Sequence, residues 1–402
     1  MPTYYPSVQV KSNIDYNKLK YEMYIFNPIT NHKIYVKIEN EKKPYSLNKN
    51  YQTPSFQISV KNIDVVKDYV IIFKLYYVDK NQKNILVIND YLLSDGLDFF
   101  NVNGKRSRDV VKYLTTENEL KVIKSSQNND VELIIKNSRV FIDTKNPPFT
   151  PNDPFSVERM QASLKSRLIE PNPDQASSML CGPAAFFFCL LNSNRSKYLK
   201  CAKELWEVGY TEINDLKIDV RKSPARFPKN YTDVNNMPKV PPIDWVTLAS
   251  LRDSENFILD YDSPDKESSA VTPPHELKAW FVKAGFKFIK QIGGIDKVGL
   301  TRDEIFELNQ YAGPNHYIVC LVSSRVLVGS DSPLLKNHWI VWTDKLRGKY
   351  DNMEITKDGA RNPTVSLRLF SWGRNALQVK PTYSLESFRF THYVAYIFSR
   401  NL

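Results

Sequence analysis

The sequence predicts two regions of different class: an all-β N-terminal domain, read as a β-sandwich, and an α+β domain in which helices precede an antiparallel sheet. Three observations carry this. Residues 1–143 alternate apolar and polar positions in short runs separated by turns rich in Asn, Pro and Lys. Lys145-Asn-Pro-Pro-Phe-Thr-Pro-Asn-Asp-Pro then sets four prolines in ten residues, the composition of a stiff, extended linker over 144–155. Beyond it, over 156–402, helical periodicity comes first and strand-like runs afterwards. A chain of 402 residues that is 42% hydrophobic is long and apolar enough for two domains with a large core.

In the first region the strand-like runs are Ser7 to Val10, Tyr21 to Phe26, Lys33 to Ile38, Phe56 to Val60, Tyr69 to Val78, Ile85 to Ile88, Leu120 to Ile123 and Val131 to Ile142. One or two helical turns are expected around Ser107 to Leu114. The region holds one histidine and no cysteine, so it reads as a folding, recognition or docking module.

The second region opens with a helix over Ser156 to Leu168, with Val157, Met160, Leu164 and Leu168 on one face. A polar loop leads to an apolar helix beginning near Cys181, and Ser196 to Val208 is a further amphipathic helix. The stretch from Ile218 to Pro242 reads as surface-wrapping chain. Asp244 to Glu255 is helical, and its Ser250, Arg252 and Asp253 either line a cleft or cap and pair locally, which short polar groups at helix ends usually do. Thr272-Pro-Pro-His-Glu-Leu-Lys-Ala-Trp-Phe-Val-Lys-Ala-Gly has a proline start and a glycine stop. A short helix at Glu304 to Leu308 follows, then strands at Tyr317 to Val322, Trp339 to Thr343, Val365 to Phe370, Ala376 to Val379 and Tyr393 to Phe398.

Composition narrows the function classes. Net charge is +11 and the isoelectric point about 9.2, yet the lysines are interspersed with acidic residues. Lys105-Arg106-Ser107-Arg108 is too short for a nucleic-acid stripe, so no nucleic-acid partner is expected. The basic surface suits an anionic target such as a cell envelope or phospholipid head groups. The four cysteines lack metal-ligand spacing, so neither a metal nor a disulfide framework is expected. No glycine-rich phosphate loop calls for a nucleotide, and no cofactor is expected. The N-terminus lacks signal-peptide character, and the longest apolar runs are too short to span a bilayer. A soluble protein, cytoplasmic as synthesised and exported only by a leaderless route, is expected.

The chemistry points to Cys181 in Gln175-Ala-Ser-Ser-Met-Leu-Cys181-Gly-Pro-Ala-Ala-Phe-Phe-Phe. A polar loop delivers the thiol to the first turn of a helix, where the dipole and unpaired N–H groups favour a thiolate. The competing reading is a buried structural thiol, the reading that suits Cys189. Gly182 allows close backbone approach, and Pro183 is tolerated in a first turn. The Gln175 amide, six residues upstream, is placed to donate to an oxyanion. A base is then needed among five histidines. His32 lies in the N-terminal region and His275 at a helix start. His316 in Asn-His-Tyr-Ile-Val-Cys and His338 in Asn-His-Trp-Ile-Val-Trp both begin strands, and the residues alone leave them tied.

Gln175, Cys181 and the following helix resemble the glutamine, nucleophile and central helix of papain-like cysteine peptidases, over roughly residues 156 to 402. The Cys-Gly-Pro-Ala form is similar to the bacteriocin-leader-processing peptidases and to bacterial papain-like toxin and effector domains. A Pro-x-x-Leu helix ending in glycine before the histidine strands, as at Pro274, fits the same type. The resemblance implies a base at the start of the second of two apolar strands, which is His338. Where the family often carries Asn-Ser-Trp-Gly, this chain reads Phe370-Ser371-Trp372-Gly373. Phe370 cannot orient an imidazole, so Ser371 ranks first, with a backbone carbonyl, Asp344, Asp351 or no third group as alternatives.

The activity that the resemblance implies is a cysteine hydrolase, a peptidase or amidase acting on protein or peptidoglycan stem peptides, in the setting of a secreted bacterial effector or toxin. An immunity or inhibitor protein and a secretion machine are the implied partners. The alternatives are a non-catalytic peptide-binding protein on a degenerate papain-like domain, and a Cys-His deamidase or transglutaminase.

Overall fold

In a computed structural model, residues 3–401 are described apart from 11, 13, 55, 61–62, 79–80, 94–96, 98–111, 114–118, 125–130, 137–138, 149, 255–260, 266–271, 331–336 and 360–361. The basic run at Lys105 and the helical turns expected from Ser107 lie outside the described residues, save that Lys112–Tyr113 is a strand. The chain forms two compact units, and neither is one continuous stretch: Met1–Val140, Ser156–Ile169 and Asn194–Gly209 make the first, and Phe141–Phe155, Glu170–Ser193 and Tyr210–Leu402 the second.

The main sheet of the first unit is antiparallel, built from β1 (Leu19–Asn27), β2 (His32–Tyr35), β3 (Tyr45–Ser46), β4 (Val70–Val78) and β5 (Asn84–Leu92). Its order is β2-β1-β4-β5, with β3 also paired to β1. Period-2 alternation sends Tyr21, Met23 and Ile25 of β1, with Ile71, Phe73 and Leu75 of β4, into one core. Tyr21 stacks on Phe73 with ring centroids 5.6 Å apart. Against that face lie Tyr4, Val8 and Ile58 from short strand pairs, with Val10 and Val60 just beyond them, so among the described residues the second layer of the expected sandwich consists of fragments. A separate hairpin joins β6 (Glu119–Lys124) to β7 (Val131–Lys136).

Three helices follow in the chain: α1 (Val157–Ile169), α2 (Cys181–Ser193) and α3 (Arg195–Val208). α1 and α3 belong to the first unit. Gln161 of α1 accepts from the Leu92 N–H, and Lys203 of α3 donates to the Leu92 carbonyl at 2.6 Å. Arg195 pairs with Asp68 at 3.0 Å, both side chains nearly buried. The segment anticipated as an extended linker is instead packed in the second unit. Asp143 accepts from the Lys145 N–H and the Asn146 amide, and Phe155 is buried and stacked on Tyr231 at 5.1 Å. Aromatic burial outweighs the extended bias of its prolines.

The second unit carries the hairpin β8 (Tyr210–Ile213) and β9 (Leu216–Asp219), then a helical turn Pro242–Asp244, a π-helical turn Trp245–Ala249 and α4 (Ser250–Ser254). α5 (Pro274–Lys283), β10 (Phe288–Gly293) and α6 (Arg302–Tyr311) lead into the sheet proper. Its strands are β11 (His316–Val322), β12 (His338–Trp342), β13 (Arg368–Ser371), β14 (Arg374–Leu377) and, after α7 (Leu385–Phe390), β15 (His392–Ser399). The order β10-β15-β11-β12-β13-β14 is antiparallel throughout. One face buries Ile318, Cys320, Ile340, Trp342 and Leu369 together with Ile305 of α6 and Phe388 of α7. The other packs on α2, where Phe370 stacks on Phe188 at 4.1 Å. Val365–Ser366 pairs with Arg347–Gly348 in a separate ribbon, so the strand expected over Val365 to Phe370 is two pieces.

Candidate active site

Cys181 is the first residue of α2, preceded by a loop that its own side chains hold. Asp174 Oδ1 accepts from the Ala176 N–H at 2.8 Å, Ser178 Oγ donates to the Gln175 carbonyl at 2.5 Å, and Gln175 Nε2 donates to the Ser178 carbonyl at 2.7 Å. The Asp174 N–H donates to buried Asp244 at 2.9 Å, which ties the loop to the helical turn before α4. Gln175 is therefore a loop builder: the interaction its carboxamide makes is with Ser178, and no hydrogen bond joins it to Cys181.

Gly182 is required by packing. A Cβ there would lie 2.6 Å from Thr272 Cβ and 3.1 Å from its Cγ2. Thr272 in turn accepts the Trp339 indole N–H on its carbonyl at 2.9 Å. α2, the chain two residues before α5 and the start of β12 are thus locked together beside the thiol.

Only 2% of Cys181 is exposed. The thiolate expected from the helix start is opposed by this burial, which pushes the thiol above its ordinary range; the backbone N–H groups of Trp339, Gly182 and Cys181 and the charge of Arg252 pull it back. The dipole and N–H effect is present, but desolvation exceeds it.

His338 starts β12, and its Nε2 lies 2.7 Å from Ser371 Oγ. Its ring tilts over Trp372 with centroids 4.9 Å apart. Burial holds the imidazole down to about 3, so the ring is neutral. Trp372 and Gly373, both at positive φ, form the two-residue turn between β13 and β14. A Cβ at Gly373 would meet Asp174 Cγ at 2.7 Å, so this turn seats against the loop that carries Gln175.

Strand alternation qualifies the picture. Trp339 and Phe370 face α2, whereas His338 and Ser371 occupy the alternate positions, next to Trp339 and Phe370 respectively. No hydrogen bond joins the Cys181 thiol to the His338 imidazole among the described residues.

The remaining candidates separate. β11 and β12 run antiparallel with Val322 opposite His338, so His316 sits at the far end of the sheet, six residues or about 20 Å away. Asp344 is exposed past the other end of β12, bound to the Lys345 N–H, and Asp351 caps a turn at Met353. His32 and His275 are exposed. Phe370, which stands where an orienting asparagine is common in the resembled family, fills the α2 interface, and the next residue, Ser371, holds the histidine.

Sequence reasoning gave no catalytic place to three contributors. Arg252, weighed there as either lining a cleft or pairing locally, is buried and lies 3.5 Å from Glu276 of α5, and its charge favours the Cys181 thiolate. Tyr261 is buried, and its hydroxyl, lying near the Met179 N–H, interacts with Cys181 and Arg252 and is pushed up to about 12 by burial. The Trp339 N–H is the third. No spacing in the chain links residues 181, 252, 261 and 339. Among the described residues no group of His, Cys, Asp and Glu could hold a metal ion, and no helix is long and apolar enough to cross a membrane.

Comparison of the chain with protein-family models, with curated proteins and with solved structures finds no match in any of the three.

Proposed function

We propose that this chain is a cysteine-dependent hydrolase of amide bonds, a peptidase or amidase on a papain-like domain, with Cys181 as nucleophile and His338 as base. The observation that carries the reading is the packing of the start of α2 against the start of β12: Thr272 abuts Gly182 and accepts the Trp339 indole N–H, and the residue before Trp339 is a histidine held by Ser371. With Nε2–H donating to Ser371 Oγ, Nδ1 keeps the lone pair that accepts the thiol proton. Sγ then attacks the carbonyl carbon, and the oxyanion takes backbone N–H groups at the start of α2. Collapse expels the amine with the proton from His338, and water hydrolyses the thioester. Gln175 enters through the second N–H of its carboxamide. The thiol and imidazole close on one another in the substrate complex, as catalytic hydrogen bonds that are loose in free enzymes do. The first unit serves as recognition or docking module. A protein or peptidoglycan stem peptide is the substrate, and delivery as a bacterial effector is the setting.

The test compares wild type with Cys181→Ala and His338→Ala on denatured protein and on purified peptidoglycan, reading new amino termini and released ammonia. New amino termini from wild type alone support hydrolysis, and ammonia without them indicates deamidation. Equal, null behaviour of all three proteins refutes the enzyme. It favours a peptide-binding protein, the reading to which the buried thiol and the missing thiol–imidazole bond lend weight.

A further inference from the structure

In a thiolate–imidazolium pair the histidine supplies the positive charge, and here His338 is poorly suited to it: the ring is 4% exposed, packed on Trp372 and bound to a neutral hydroxyl. Another cation is built into the site. Arg252 on α4 is 4% exposed and lies 3.5 Å from Glu276, in the first turn of α5. One helical turn before Glu276, Thr272 packs on Gly182, the neighbour of Cys181. α5 is seated on α2 through Phe281 and Phe186, whose rings lie 5.3 Å apart edge to face. Arg252 is thereby held in the layer that carries the nucleophile, and a guanidinium keeps its proton at any working pH.

We propose that Arg252, restrained by Glu276, is the permanent positive charge against which the Cys181 thiolate forms, so that His338 acts as a neutral base. The inference rests on the reading of Cys181 as nucleophile, and it makes Arg252 a positioning residue acting through the thiol. Among the described residues, the titratable and charged groups on the elements that meet at Cys181 include Arg252 on α4, Tyr261 in the chain that follows, Glu276 on α5, His338 on β12 and Asp174 in the preceding loop. α2 itself has no acidic or basic residue in its first or last turn.

The test is the pH dependence of Cys181 alkylation by iodoacetamide in the full chain, read peptide by peptide by mass spectrometry. An opposite charge beside a titrating group moves it by about one to three pH units. Arg252→Met raises the midpoint by about one unit or more, and Arg252→Lys restores most of it. Glu276→Gln, which releases the guanidinium from its counter-ion, lowers the midpoint. His338→Ala leaves it in place. General damage to the fold moves both partner variants the same way, whereas this electrostatic role moves them oppositely. Two results overturn the proposal: Arg252→Met and Glu276→Gln failing to shift in opposite directions, or His338→Ala raising the midpoint as far as Arg252→Met does. The profile needs no turnover. A wild type inactive on every amide substrate sinks the hydrolase reading and leaves the profile to be judged, and an active wild type with unmoved profiles sinks Arg252 alone.

Discussion

Adding one methyl group at Gly182 tests whether the contacts around the thiol form a single packed unit. Gly182→Ala brings a Cβ to 2.6 Å from Thr272 Cβ and 3.1 Å from its Cγ2, where ordinary contact begins near 3.4 Å. Two terms compete. Alanine in place of glycine favours a helix by about 1 kcal/mol, and less so in a first turn. Overpacking a buried site disfavours the fold by about 1–3 kcal/mol. The clash prevails because Thr272 is anchored: its carbonyl holds the Trp339 indole, and Trp339 stacks on Tyr396. A net loss of about 1–2 kcal/mol is expected in denaturant unfolding. Thr272→Gly removes Cβ, Oγ1 and Cγ2, all the atoms that the new methyl meets, and Oγ1 has no hydrogen-bond partner to lose. The double variant therefore recovers roughly 1 kcal/mol relative to the sum of the single variants. Additive single and double variants would falsify the argument, since they would mean that Gly182 and Thr272 do not bear on one another.

The two fully buried histidines make an acid limb. His338 is held down to about 3 and His392 to about 4, both by burial, from an ordinary 6.5. The unfolded chain binds more protons over that interval, so stability is full above pH 6.5 and falls by roughly 1.4 kcal/mol per pH unit per histidine as pH drops toward those values. Denaturant melts of wild type and His392→Gln between pH 7 and 4.5 check this, and equal slopes would remove His392 from the account. Cys181 alkylates with a midpoint above the usual thiol range yet faster than Cys189 and Cys320, which lack its N–H donors; mass spectrometry of iodoacetamide-treated protein reads the order, and equal rates would contradict it. In the first unit Asp68→Ala strands the buried Arg195 charge, and a loss of about 3–5 kcal/mol in chemical denaturation is expected. A change below 1 kcal/mol would show that solvent already reaches the pair.

The legible part of the site is local. The helix at Cys181 follows from an apolar run entered through a polar loop, and the strand at His338 from Trp-Ile-Val-Trp, because 3.6-residue and two-residue periods are written in neighbouring side chains. The turn that brings Ser371 near His338 depends on Trp372 and Gly373, and glycine is the turn residue that can be read in advance. The choice between His316 and His338 could not be made from the residues, since both begin apolar strands. Antiparallel pairing separates them, putting Val322 beside His338 and His316 at the opposite end. A proline count suggested a linker, yet burial of Phe155 on Tyr231 makes it part of a folded unit.

By itself, then, the sequence determined most of the longer helices and strands and which thiol heads a helix, while the hairpin Tyr210–Asp219, the strand Phe288–Gly293 and the helix Leu385–Phe390 went unread. Only the tertiary structure decided that α1 and α3 pack with the N-terminal sheet, that Ser371 rather than Phe370 meets the histidine, and that Arg252, Tyr261 and Thr272 surround Cys181. The reason is physical: periodicity and turn chemistry act over a few residues, whereas burial, desolvation and charge act between groups the chain brings together from about 30 to about 160 positions apart, and a linear pattern carries no record of those distances.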